Sequence, residues 1–98
     1  FSTDTAAVLR AIEMEADVLI KATKVEGVYS ADPTKDPTAQ FIPHLSFMEV
    51  MTRELGVMDA AAVSLCKDND LPIIVLNIQN AGAVAAAIRG ERVGTLVS

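Results

Sequence analysis

The 98-residue sequence predicts an α/β fold, a three-layer α/β/α sandwich with a mostly parallel sheet. Three observations predict it. The runs Val18-Leu19-Ile20 and Ile73-Ile74-Val75-Leu76 are apolar without alternation, the pattern of strands covered on both faces. Segments with apolar residues at helical spacing lie before and after each run, and strands alternating with helices argue for parallel pairing. A glycine turn and a polar cluster follow the first run directly. A sheet of this kind builds its ligand site at such a place, the carboxyl end of a strand.

Residues 3–16 read as a helix. Thr3 or Asp4 can cap it, and Val8, Leu9, Ile12 and Ala16 share one face. Residues 17–23 read as the first strand, and residues 24–30 as a turn and a short extended piece. Residues 31–44 contain Pro33, Pro37 and Pro43, which remove backbone donors, so this stretch reads as a loop. Ser46 opens a second helix, with Glu49 three residues on as a capping box and Gly56 as its stop. Asp59 starts a third helix that turns Ala62, Leu65 and Cys66 inward and ends near Asn69. Pro72 leads into the second apolar strand. A fourth helix runs from about Ala83 to Arg89 and stops at Gly90, and Gly94-Thr95-Leu96-Val97 suggests a last short strand. No internal repeat stands out. Two or three strands would leave a sheet edge open, which predicts a covering partner.

Composition narrows the function classes. The apolar share is 51%, much of it alanine, the best helix former, and the net charge is −5. No cluster of Lys and Arg with interleaved aromatics occurs, so the footprint of a nucleic-acid binder is missing. No apolar run approaches the roughly 20 residues of a membrane span. The single Cys66 has no partner for an internal disulfide, which favours a reducing compartment. The chain opens on Phe1 and runs straight into a helix signal, so it reads as a portion of something longer.

Lys21, Thr23, Tyr29 and Asp32 gather around the turn after the first strand. The plainer reading is a surface loop with an Asp-Pro turn. The sharper one is a purine pocket, with Tyr29 against a base or ribose, Thr23 at the base edge, and Asp32 accepting from ribose hydroxyls. No Walker sequence or Gly-x-Gly-x-x-Gly is present, so the phosphates of a bound ATP need groups from elsewhere. Ser2-Thr3-Asp4 is either a simple cap or the phosphate side of a helix N-terminus, where Asp4 would orient a lysine or hold Mg2+ through water. Asp59 reads as an N-cap. His44 reads as a surface residue, Cys66 as core, and Glu13, Glu15 and Asp17 as a solvated or subunit-facing patch.

The segment Ser2-Thr3-Asp4-Thr5-Ala6-Ala7 and the block at residues 15–33, with its Lys-Ala-Thr-Lys-Val-Glu-Gly-Val-Tyr-Ser-Ala-Asp-Pro core, resemble the amino acid kinase family. The likeness covers essentially the whole chain and is to the carboxyl-terminal half of that fold. Residues 57–61 and the Gly-Thr-Leu ending resemble the bacterial uridylate kinase branch more than the acetylglutamate, glutamate or aspartate kinases.

The resemblance implies transfer of the ATP γ-phosphoryl to UMP, giving UDP for pyrimidine biosynthesis, with Mg2+. It implies that residues 1–98 form the ATP-binding half of one kinase domain whose amino-terminal half is another stretch of polypeptide. It puts Thr23, Tyr29 and Asp32 at ATP, Phe1, Ser2 and Thr3 at UMP, and Asp4 and Asp59 at the catalytic centre. It further implies a cytoplasmic homohexamer with GTP and UTP as common effectors. The active-site lysine and a glycine-rich loop would come from the amino-terminal half, so the isolated 98 residues are expected to be inactive. Two other readings stay open at this point: a family member acting on a carboxylate (acetylglutamate, glutamate or aspartate), and a non-catalytic nucleotide-binding or assembly module.

Overall fold

A computed structural model describes residues 3–53 and 55–98. Phe1 and Ser2, expected at UMP, lie outside the described residues. The elements run α1 (Thr3–Glu13), β1 (Leu19–Thr23), β2 (Val28–Tyr29), β3 (Phe41–Ile42), β4 (His44–Leu45), α2 (Phe47–Arg53), α3 (Ala60–Asp68), β5 (Ile73–Asn77), α4 (Ala81–Ile88) and β6 (Thr95–Val97).

The main sheet has the order β1-β5-β6-β4. β1 pairs parallel with β5 from Leu19↔Ile73 to Thr23↔Asn77, and β4 pairs parallel with β6. β6 runs antiparallel to β5, so the sheet is mixed but mostly parallel. Alternation gives it two faces. Ile73, Val75, Val97 and Leu45 point into a core with Val8 and Ala11 of α1, Val50 of α2, and Ala62, Val63 and Cys66 of α3. Leu76 points the other way, toward the side where α4 lies against β5. The α/β/α layering therefore stands, with three helices on one side and one on the other.

Local sequence sets most helix ends. The Ser46 hydroxyl accepts from the Glu49 N–H, and Glu49 Oε1 accepts from the Ser46 N–H, both at 3.0 Å, closing the capping box. Ser46, chiefly through its backbone N–H, holds the Glu49 carboxyl below its usual pKa. Asp59 and Asn80 cap α3 and α4 through side-chain oxygens that accept from Ala62 and Ala83.

Three helices end in the same paired-bond motif. In α4 the left-handed residue is Gly90, as its sequence announces. In α1 and α3 the position is filled by Glu15 (φ 56°) and Asp70 (φ 51°). The Ala16 N–H bonds the Ala11 carbonyl and the Glu15 N–H bonds the Ile12 carbonyl, which stops α1 at Glu13 rather than at residue 16. A glutamate in a left-handed conformation leaves no sequence signal.

Other expectations are corrected. Residues 31–44 are not all loop: Phe41 and Ile42 form β3, and His44 begins β4. Pro43 lies between them, and its carbonyl accepts from the Leu96 N–H. β1 is an edge strand, and Ile20 is 41% exposed, so the run Val18-Leu19-Ile20 is not covered on both faces among the described residues. The stretch 32–38 also holds a short tandem, Asp32-Pro33-Thr34 and Asp36-Pro37-Thr38. In each unit the aspartate Oδ1 accepts from the threonine N–H and hydroxyl two residues on. His44 is exposed, as expected, and its Nε2 lies 3.0 Å from the Ser98 hydroxyl. Cys66 is buried, which pushes its thiol pKa up and leaves it an inert core residue.

Close approach dictates the glycine at position 94. Gly94 has φ 64°, and a Cβ there would lie 2.1 Å from the Val75 carbonyl oxygen. Gly56 has φ 70° but open space around it. Gly94→Ala is therefore expected to cost about 3 kcal/mol or more, and Gly56→Ala only about 1 kcal/mol, the left-handed penalty alone. Urea unfolding of the two variants in the full-length protein checks this; equal costs would remove the contact with Val75 as the reason for Gly94.

Candidate active site

The parallel pairing of β1 with β5 brings Thr23 and Asn77 side by side at their carboxyl ends. A cleft of about 480 Å³ opens there, and Thr23, Tyr29 and Asp32 all line it. Those three residues, singled out in the sequence, converge on one cavity. Gly56, Val57 and Arg53 close its other side.

Each of the three side chains has a definite local tie. The Thr23 hydroxyl lies 2.7 Å from the Val25 carbonyl and 3.2 Å from that of Leu76, and it accepts from the Val25 N–H. Its proton is thus directed at backbone, and Thr23 shapes the turn that the cleft rests on. Tyr29 packs edge-on against Phe41, with ring centroids 5.6 Å apart, and is half-buried. That contact leaves an aromatic surface at the cleft in a fixed orientation. Asp32 is exposed and engages Thr34 through Oδ1. The Thr34 hydroxyl and N–H, aided by Lys35, hold the Asp32 carboxyl below the usual aspartate range, so it presents a carboxylate.

Beside the cleft stands a second cluster. Val75, which lines the cleft, is the register partner of Lys21 on β1. The Lys21 ammonium lies 3.0 Å from Asp4 Oδ1, and both side chains are partly exposed. Asp4 Oδ2 accepts from the Asp59 N–H at 3.2 Å, and Asp59 Oδ1 accepts from the Ala62 N–H at 3.0 Å. One carboxylate at the start of α1 thus joins β1 to the start of α3. The expectation that Asp4 orients a lysine meets a lysine of this same chain. Thr3 precedes Asp4 in the first turn of α1 and is exposed.

Of two cations at the site, sequence reasoning placed Lys21 in the cluster after β1 without giving it a role, and it did not point to Arg53. Lys21 carried a signal, its place two residues before Thr23 on the same face of the strand. Arg53, in the last turn of α2, carried none, because only the fold brings it to the cleft. Among the described residues no three His, Cys, Asp or Glu side chains converge as a metal site.

Comparison with known proteins gives four matches of note. The profile of the Amino acid kinase family matches residues 1–77. Uridylate kinase of Serratia proteamaculans is 54% identical over 98 residues, which is 100% of this chain and 41% of that protein. The crystal structure of UMP kinase from Bacillus anthracis superposes with a TM-score of 0.93 at 36% identity, covering 100% of this chain and 41% of that one. Aspartate kinase from Synechocystis is more distant, with 28% identity and a TM-score of 0.75 over 97% of this chain and 15% of the other. The chain therefore spans about two fifths of the length of the uridylate kinases it matches.

Two outcomes follow from the geometry. Lys21→Met removes a partly exposed ion pair and is expected to cost under about 1 kcal/mol, whereas Asp4→Asn also weakens the bond from the Asp59 N–H and should cost about 1–2 kcal/mol. Equal losses in denaturant melts would mean that the link to α3 contributes nothing. Thr34→Val, which removes the hydroxyl and keeps the N–H, should raise the Asp32 pKa part of the way toward the free value of about 3.9, read by NMR titration of the carboxyl carbon; an unmoved titration would show that the Thr34 hydroxyl does not hold the charge.

Proposed function

The chain belongs to the amino acid kinase family, and from that premise we propose that it forms the ATP side of a kinase that transfers the γ-phosphoryl of MgATP to UMP. The observation that carries the reading is the convergence of Thr23, Tyr29 and Asp32 on one cleft at the carboxyl ends of β1 and β5. The choice of UMP over a carboxylate rests on 54% identity to a uridylate kinase against 28% to an aspartate kinase.

Each residue has a chemical part in that reading. The Tyr29 ring lies against the adenosine, and the Asp32 carboxylate accepts from the ribose hydroxyls. Thr23 holds the turn so that backbone groups meet the base edge. Arg53 offers a cation along the same cleft. Mg2+ arrives on the triphosphate, with phosphate oxygens and water as its main ligands.

A UMP phosphate oxygen then attacks the γ-phosphorus, and the bond to the ADP oxygen breaks. Such a transfer depends on positioning and on neutralising charge. Asp4 and Asp59 organise that end, Asp4 by fixing the Lys21 ammonium and the start of α3. Phe1, Ser2 and Thr3 contribute to the UMP side. The remaining lysine and backbone amides come from the amino-terminal half of the enzyme, and the working form is a cytoplasmic homohexamer.

In the full-length enzyme, Asp32→Ala is expected to raise KM for ATP about tenfold or more, the loss of charged hydrogen bonds, while KM for UMP moves little. Steady-state kinetics with each substrate varied in turn decides it. Equal weakening of both substrates would take Asp32 out of the ATP pocket, and wild-type enzyme that leaves UMP unphosphorylated would end the proposal.

A further inference from the structure

The Gly94-Thr95 pair near the chain's end has no part in the reaction just described, yet its geometry reaches the candidate ATP cleft. Thr95 is fully buried and does not line the cleft. Its hydroxyl accepts from the Val28 N–H at 2.8 Å and donates to the Ile42 carbonyl at 2.6 Å. Val28 and Ile42 are register partners in the hairpin of β2 and β3. One hydroxyl from the main sheet is thus inserted between the two strands of a separate one.

That hairpin has little to hold it by itself. Its ladder consists of Val28↔Ile42 and Tyr29↔Phe41, extended only by two hydrogen bonds between Ser30 and Gln40. An isolated two-stranded ribbon is marginal in water even when longer. Tyr29 follows Val28 immediately, so whatever anchors the Val28 amide sets where the aromatic ring stands.

The seat of Thr95 is itself tightly set. Thr95 pairs with Val75, a residue of the cleft wall, and Gly94 lies against the Val75 carbonyl so closely that a Cβ would sit 2.1 Å away. On the hairpin side, a Cβ on Gly27 would lie 2.5 Å from the Thr95 hydroxyl and 2.7 Å from the Phe41 ring. Two glycines therefore let β6 press on β5 and let the hairpin press on Thr95.

We propose that Thr95 is a positioning residue for ATP, acting through the Val28 amide and the Ile42 carbonyl to hold Tyr29 at the adenosine. The inference rests on the ATP-side reading of the cleft. It requires no contact between Thr95 and nucleotide. Removing the hydroxyl loosens the hairpin while the cluster of Asp4, Lys21 and Asp59, more than one strand away in the sheet, keeps its bonds.

The test uses the full-length enzyme with Thr95→Val, which keeps the shape, and Thr95→Ser, which keeps the hydroxyl. Thr95→Val is expected to raise KM for ATP about tenfold, the effect of leaving a buried donor and acceptor unmet, with KM for UMP changed less than about twofold. Thr95→Ser should return KM for ATP to within about threefold of wild type. Amide hydrogen exchange supplies a readout apart from turnover: the Val28 amide should lose protection in Thr95→Val and keep it in Thr95→Ser.

Equal rises in both KM values, equal effects of the two substitutions, or an unchanged Val28 exchange rate would overturn the inference. If Thr95→Val does not fold, Thr95→Ser decides alone, since a large rise in its KM for ATP would make the methyl rather than the hydroxyl responsible. Wild-type enzyme inactive on UMP would sink the functional reading, whereas active wild type with an unaffected Thr95→Val would sink only this one.

Discussion

The parallel ladder between β1 and β5 is the constraint on which the other features depend. Its five register pairs run from Leu19↔Ile73 to Thr23↔Asn77 and bring both carboxyl ends to one level. On one face of this ladder, alternation sends Ile73 and Val75 into the core under α1, α2 and α3. The same alternation puts Lys21 and Thr23 on that face at the end where the cleft opens. A slip of one residue would exchange the two faces, burying Ile20 and expelling Lys21 from Asp4. Core and candidate site are therefore specified by one register.

Around that ladder the molecule uses polar side chains as fasteners between elements rather than as a dense network. Asp4 joins α1, β1 and the start of α3. Thr95 joins the main sheet to the hairpin. Asn77 reaches the Glu26 carboxylate and braces the turn beyond β1. Each fastener sits at the sheet end that carries the cleft. Among the described residues no buried side-chain polar atom lacks a partner, as a folded interior requires.

The open edge of β1 and the exposed Ile20 fit a chain that spans 41% of its uridylate kinase relatives. The apolar run at β1 is composed for coverage on both faces, and one of those faces is bare among the described residues. An uncovered apolar edge strand is a pairing hazard unless more sheet lies beside it.

How much was legible in the sequence follows from the range of each interaction. The capping box at Ser46 and Glu49, the N-cap at Asp59 and the stop at Gly90 depend on atoms within a few residues, and the amino acids there announce them. The two apolar strands and the polar cluster after the first were equally plain, and so was the α/β class. The left-handed Glu15 that shortens α1, the strands inside the proline-rich stretch, and the antiparallel β6 between β5 and β4 had no local signature.

By itself the sequence determined the four helices and the two long apolar strands, and which side chains cluster after β1, because hydrophobic period and caps act over one or two turns. Only the tertiary structure decided that Asp4 meets Lys21 across 17 residues and the Asp59 amide across 55, and that Thr95 reaches Val28 across 67. Those contacts depend on the path of the whole chain, and a hydrogen bond between residues so far apart in sequence has no footprint until burial of the two apolar strands brings them together.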